Sequence, residues 1–156
     1  MDPKATYKLT YGLFVLTAKN DKGDNGCIIN TAGQVTTDPN RISIAVNKQN
    51  YTHDMIVETG LFNISILSEA ATFDIFQTFG FQSGRDVNKF ADFADCKRAE
   101  NGLLYITKGT NAFFTAKVWQ SIDLGTHTLF IADVTDMEVL SEVPSTTYTY
   151  YQNNIK

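Results

Sequence analysis

The stretch RISIAVNKQNYTHDMIVETG, from Arg41 to Gly60, contains the sequence signals that decide the fold. Its first seven residues, Arg41 to Asn47, alternate polar and apolar side chains, which is the pattern of a β-strand with one buried face. Asn50 or Thr52 can then cap a short helix, and Gly60 stands where helices commonly end. The stretch therefore predicts a strand that passes through a polar turn into a short helix.

The polar turn has the residue types that could hold a phosphate group. N–H groups at a helix N-terminus point outward, and the helix dipole favours an anion there. Lys48 supplies a positive charge and Thr52 a hydroxyl donor. The same residues would also make an ordinary capped surface helix with a solvated lysine, so the turn alone leaves both interpretations open.

Strand patterns dominate the rest of the chain. Asn101-Gly102 predicts a two-residue hairpin turn, and Leu124-Gly125-Thr126 joins two long strands. The predicted strands are 13–18, 26–31, 41–47, 61–67, 96–100, 103–107, 111–123 and 127–140. Many strands with only two short helices favour an antiparallel barrel or sandwich.

A second helix is predicted from after Ser68 to about Phe79, with Gly80 just past its end. Phe73, Phe76 and Phe79 recur at helical spacing and should face the core. No Gly-x-Gly-x-x-Gly motif and no alternating βα units are present, which argues against a dinucleotide-binding α/β fold.

The overall composition is that of one domain, residues 1–156. The formal net charge of −4 argues against a nucleic-acid partner, which usually requires a clustered basic surface. Cys27 and Cys96 are too far apart for a zinc or thioredoxin-type motif, and we expect two reduced thiols. No signal-peptide core is visible and the early apolar run 13–16 is too short for a membrane span, so we expect a cytoplasmic protein.

Three further segments carry polar residues next to apolar strands or turns. Asn30-Thr31-Ala32 follows a strand, and small residues there would let a flat ligand lie against the backbone. Ser83-Gly84-Arg85 could supply a second cation for an anion, although Arg85 could equally form a solvated ion pair with Asp86. His127 opens a strand, where it could contact a ligand or hold the loop.

In this order, the four segments resemble the flavin-reductase-like family of FMN-binding split barrels, over about residues 13–143. Within that family the chain is most similar to the flavoprotein part of high-molecular-weight rubredoxins and to flavoredoxin-like proteins. The resemblance implies a mainly β protein, a Greek-key split β-barrel with two or three short helices. It also implies a homodimer that binds FMN and takes electrons from NADH or NADPH. The net charge and the short apolar run predict no nucleic-acid or membrane partner.

The resemblance also implies roles for single residues. Asn30, Thr31 and Ala32 would lie along the flavin. His127 matches the histidine of the family's Gly-Asp-His motif and would be the catalytic residue near the nicotinamide. The residues expected to hold the ribityl-phosphate side, or to close over the phosphate, are Asn47, Lys48, Thr52, His53, Ser83, Gly84 and Arg85.

The chain departs from the family pattern at two positions near His127. Thr126 stands where the reductases usually have Asp, and Ala132 where they often have Gly.

From the resemblance we predict an oxidoreductase that passes electrons from NAD(P)H through FMN to free flavin or to a separate rubredoxin-like carrier. Two alternatives remain: an FMN-binding electron carrier that does not itself oxidise NAD(P)H, and a β-barrel that binds an apolar ligand without redox chemistry. No metal site is expected.

Overall fold

The computed structural model describes residues 1–156, and nine strands with two helices build the fold. A 3₁₀ helix, Pro3–Lys8, precedes them, and two short helical turns, Tyr148–Tyr150 and Tyr151–Ile155, follow them. The strands are β1 (Phe14–Asn20), β2 (Gly23–Ile29), β3 (Gly33–Thr37), β4 (Asn40–Asn47), β5 (Leu61–Leu67), β6 (Cys96–Arg98), β7 (Leu104–Ile106), β8 (Thr110–Asp123) and β9 (His127–Val139). The helices are α1 (Tyr51–Thr59) and α2 (Phe73–Gly80).

The stretch from Arg41 to Gly60 folds as its pattern predicts. Strand β4 buries Ile42, Ile44 and Val46 and then turns into α1. Asn50 is the N-cap, since its side-chain oxygen accepts the Thr52 N–H at 2.9 Å. Gly60 ends the helix in the left-handed conformation at φ 73°, a backbone geometry that glycine adopts without a Cβ clash.

Seven strands form one antiparallel sheet in the order β2-β1-β5-β8-β9-β4-β3. Its two edge strands, β2 and β3, do not pair with each other, so the sheet curls without closing. The predicted mainly β class is confirmed, and this open sheet is consistent with a split barrel.

Helix α1 lies against the inside of the curled sheet. Its Met55 and Ile56 are each 1% exposed and belong to the larger core cluster, together with residues of six strands. A second core cluster forms where α2 and the C-terminal turns cover the other side of β1 and β5. Phe76 and Phe79 of α2 are buried in it, as predicted, while Phe73 packs at its margin.

The small hairpin β6–β7 is attached to the main sheet by side chains. On β5, the Asn63 amide donates to the Leu103 and Leu104 carbonyls at 3.2 Å, and the Ser65 hydroxyl accepts the Ile106 N–H at 3.0 Å. The Thr17 hydroxyl of β1 also donates to the Leu104 carbonyl, at 2.6 Å. These three polar side chains are almost fully buried, and each has a backbone hydrogen-bond partner, as buried polar groups require.

The structure differs from the sequence prediction at element ends and by one strand, β3 (Gly33–Thr37), which the sequence analysis did not predict. The second helix begins at Phe73 rather than after Ser68, and Gly80 is its last residue. Residues 99–103 form the β6–β7 loop, so the predicted Asn101-Gly102 turn is part of a wider connection. None of the helices has the length and apolar composition needed to cross a lipid bilayer.

Replacing Asn63 with Ala should destabilise the protein by about 2–3 kcal/mol, because this fully buried side chain would lose its bonds to the Leu103 and Leu104 carbonyls and to the Asn101 amide. Urea unfolding followed by fluorescence would measure the change. Asn153→Ala, at an exposed site, is the control and should shift stability by less than about 0.5 kcal/mol. Equal stability of the two variants would contradict this account of the hairpin.

Candidate functional site

A cleft of about 520 Å³ opens between β2, the first turn of α1, the end of α2 and the C-terminal turns. One part of its wall is largely apolar: Leu13, Ile28, Phe76, Phe79, Tyr148 and Tyr151. The other part is polar: Asn47, Gln49, Asn50, Ser83, Gly84 and Lys89. None of the side chains that line the cleft is acidic, in a chain with 17 Asp and Glu residues. The cleft therefore suits a partly flat, apolar ligand that carries negative charge at one end.

The side chains of Thr52 and His53 are buried behind this cleft. The Thr52 hydroxyl accepts the Asn25 amide of β2 at 2.9 Å. His53 Nδ1 lies 3.0 Å from the Asp54 carboxylate, and Nε2 lies 2.7 Å from the Thr128 hydroxyl of β9. Since a carboxylate only accepts, Nδ1 donates to Asp54, and in the neutral ring the Thr128 hydroxyl donates to Nε2. The structure thus gives both side chains intramolecular partners, and their predicted contact with a cofactor stays a prediction.

Cys27 is a lining residue of the cleft that the sequence analysis did not select. It is 3% exposed and lines the cleft together with Asn50. Burial raises the pKa of the Cys27 thiol, and the nearby Thr52 hydroxyl and Lys89 charge oppose that rise without cancelling it. The neutral thiol is therefore the resting form at neutral pH.

Lys89 is the second lining residue that sequence reasoning missed. It is 7% exposed, and its Nζ donates to the Gly26 carbonyl at 2.7 Å and to the Phe79 carbonyl at 3.1 Å. Burial lowers the pKa of this ammonium group. Its position after the polar run 82–88 gave no periodic signal, because the segment is a loop whose path depends on tertiary contacts.

Lys48 and His127 lie together at the end of the β4–β9 pair, outside the cleft lining. Lys48 Nζ contacts the Asp123 carboxylate at 2.6 Å, and that contact lowers the pKa of Asp123. His127 Nδ1 is 2.9 Å from the Thr126 hydroxyl. The structure therefore pairs both predicted residues with neighbours in the β8–β9 turn.

Ser83 and Gly84 line the polar part of the cleft, as the predicted site requires. A Cβ at Gly84 would collide with the Asn25 side chain, so glycine allows this loop to approach β2 closely. Arg85 lies outside the cleft lining, where it donates to Asp54 at 2.7 Å and lies 5.1 Å from the Tyr51 ring. The Arg85 contact is the main cause of the lowered Asp54 pKa.

Asn30, Thr31 and Ala32 connect β2 to β3, apart from the cleft lining. The Thr31 hydroxyl donates to the Ala45 carbonyl at 2.7 Å. Ala32 lines a separate apolar depression of about 340 Å³, together with residues such as Ile42, Ile66 and Met137. Of the predicted site residues, the cleft thus brings together Asn47, Ser83 and Gly84, and the others lie beside or behind it.

The sequence matches one protein-family model over almost its whole length. The flavin reductase like domain model matches residues 6–156. The chain belongs to the flavin reductase like family. Its membership confirms the predicted resemblance and the oxidoreductase class.

Two relatives are similar over almost all of this flavin reductase like chain. A high molecular weight rubredoxin of Moorella thermoacetica is 43% identical over 97% of the chain, which spans 66% of that protein's length. A ferric-chelate reductase (NAD(P)H) of Archaeoglobus fulgidus is 36% identical over 97% of the chain and 89% of its own length. The chain thus spans about two thirds of the first relative and nearly all of the second.

Solved structures share the same fold. An NADH:FAD oxidoreductase of Streptomyces globisporus superposes with a TM-score of 0.81 at 21% identity, covering 94% of this chain and 90% of that one. An FMN-binding protein of Thermus thermophilus superposes with a TM-score of 0.78 at 19% identity, covering 88% and 75%. At these identities the superpositions support the fold alone.

Alkylation of Cys27 by iodoacetamide at pH 7.5 should be at least about tenfold slower than that of free cysteine, because the thiol is buried and its pKa is raised. The rate should rise as the pH increases above neutrality. Peptide mass mapping at timed intervals would measure it, with Cys27→Ser as the control for assignment. Labelling as fast as free cysteine at pH 7.5 would contradict the described environment.

Proposed function

We propose that this protein is a flavin reductase that binds FMN in the cleft and takes electrons from NADH or NADPH. The observation that carries the proposal is the two-part lining of the cleft, with an apolar wall for a flat ring and a polar part without acidic residues for a phosphate. The polar part includes the first turn of α1, whose N–H groups and dipole favour an anion. These residues fit FMN in both shape and charge.

FMN would supply the redox chemistry, and the protein would bind it, orient it and shield it from water. In this assignment Ser83, Gly84 and Asn50 surround the phosphate, and Phe76, Phe79 and Tyr151 form the apolar surface. Lys48 and Arg85 would approach the phosphate only by leaving Asp123 and Asp54. His127 would act near the nicotinamide, as the family's motif implies. Free flavin or a separate rubredoxin-like carrier would accept the electrons, in a cytoplasmic protein.

A second candidate is an FMN-binding electron carrier with no nicotinamide site of its own. It is favoured by Thr126, which replaces the usual Asp and directs its hydroxyl to His127. In that case another protein would reduce the bound FMN.

Anaerobic titration separates the two candidates. Protein loaded with FMN should lose its yellow absorbance within seconds of NADH or NADPH addition, and rubredoxin added afterwards should restore it. His127→Gln should slow bleaching at least about tenfold while leaving FMN affinity unchanged, because it removes a group near the nicotinamide only. If NAD(P)H alone does not bleach the FMN-loaded protein, but NAD(P)H together with a separate reductase does, the carrier is favoured. Failure to bind FMN at all would refute both.

We further propose a homodimer, supported by apolar residues on the distal part of the β8–β9 hairpin. Residues 119–126 are all exposed, although they include Trp119, Ile122 and Leu124. Strand segments exposed on both faces rarely carry such side chains unless a partner covers them.

Light scattering should give twice the chain mass of 17.4 kDa at micromolar concentration. Ile122→Asp should raise the dimer dissociation constant at least about tenfold, because it places a charge in the apolar contact. Ser121→Asp adds the same charge at the neighbouring exposed position and is the matched control. A wild-type protein that is monomeric at micromolar concentration would contradict the dimer.

A further inference from the structure

Lys89 presents a buried positive charge that the protein itself does not neutralise. Its side chain is more than nine-tenths buried, and none of the five ion pairs of the protein includes it. An ammonium group has three N–H donors, and two of them are used by the Gly26 and Phe79 carbonyls. Buried charges are normally paired, because an isolated one loses its hydration without compensation. Lys89 therefore has both a free donor and an unbalanced charge.

The position of Lys89 in the cleft indicates which kind of group could balance its charge. Lys89 lines the cleft, whose lining contains no carboxylate. Lys89 donates to the Gly26 carbonyl of β2, and the preceding residue, Asn25, donates to the Thr52 hydroxyl in the first turn of α1. The ammonium group and the positive end of the helix dipole thus act on the same part of the cleft.

The other cations near this region are less suited to the role. Lys48 contacts Asp123 and Arg85 contacts Asp54, so each already has a counter-charge. Lys156 also lines the cleft, but it is exposed, and a solvated lysine contributes little.

We propose that Lys89 is the residue whose positive charge holds the phosphate of the flavin nucleotide, in place of Lys48 and Arg85. The assignment rests on the proposed FMN site and adds to it the cation that gives FMN its advantage over riboflavin. Asn50 and the backbone at the start of α1 complete the seat. A phosphate there would accept the third N–H of Lys89 and place two negative charges beside its ammonium group.

The test compares FMN with riboflavin, which has the same ring and lacks the phosphate. Dissociation constants for both ligands would be measured by flavin fluorescence quenching in wild type, Lys89→Gln and Lys89→Arg. The Gln amide has two donors for the Gly26 and Phe79 carbonyls but no charge. We expect Lys89→Gln to weaken FMN binding about 10- to 100-fold and riboflavin binding less than about twofold, with Lys89→Arg restoring most of the FMN affinity.

Three matched variants complete the design. Lys97→Met removes an exposed lysine of β6 and should leave both affinities unchanged. Lys48→Ala and Arg85→Ala should each change the FMN to riboflavin ratio less than Lys89→Gln does. Thermal unfolding confirms that each variant is folded at the assay temperature, and Lys89→Met replaces Lys89→Gln if the latter is not.

The outcomes separate this assignment from the proposed function. Equal loss of FMN and riboflavin in Lys89→Gln, or no loss, would overturn the phosphate role and leave Lys89 as a structural link between β2 and α2. A larger ratio change in Lys48→Ala or Arg85→Ala would also overturn it. Wild-type protein that binds neither ligand would refute the FMN site itself.

Discussion

The first turn of α1 is the constraint on which the rest of the structure depends. The sheet is open, and its edges do not bond to each other. Helix α1 connects the edge strand β2 to β9 in the other half of the sheet, because Thr52 bonds Asn25 of β2 while His53 bonds Thr128 of β9. Both side chains are buried, so each broken bond would leave an unsatisfied polar group in the core. The helix thereby holds the curvature of the sheet where strand pairing does not.

The same turn defines the cleft. Its buried side chains fix the helix start against β2, and its outer residues Asn50 and Tyr51 then stand at the cleft wall. The 81–93 loop crosses in front of this turn, held by Lys89 underneath and by the Arg85 contact with Asp54 outside. The first turn of α1 therefore has two roles. Its buried side chains hold the fold together, while its backbone N–H groups and the neighbouring residues are available to a ligand.

Much of the fold could be predicted from the sequence, since local patterns determined it. The alternation in 61–67 and the cap and stop residues of α1 gave element bounds that agree with the structure. The family was recognisable from the order of four polar segments. The contacts of single side chains could not be predicted, because they join residues that are far apart in the sequence. Lys48 pairs with Asp123, and Lys89 donates to the Gly26 carbonyl. A buried lysine in a polar loop reads in sequence as a solvated one.

The way in which the β6–β7 hairpin is attached to the main sheet affects how the sequences of the family can vary. Ser65 and Thr17 bond main-chain groups of that hairpin, and Asn63 bonds two of its carbonyls and the Asn101 side chain. The bonds to main-chain groups form whatever the residue, so the main sheet constrains the path of this hairpin more than its sequence. Homologous chains should therefore be able to exchange residues at exposed positions such as Lys97 freely, while the three polar anchors in the sheet stay fixed. The hairpin is a place where the family can diversify without rebuilding its core.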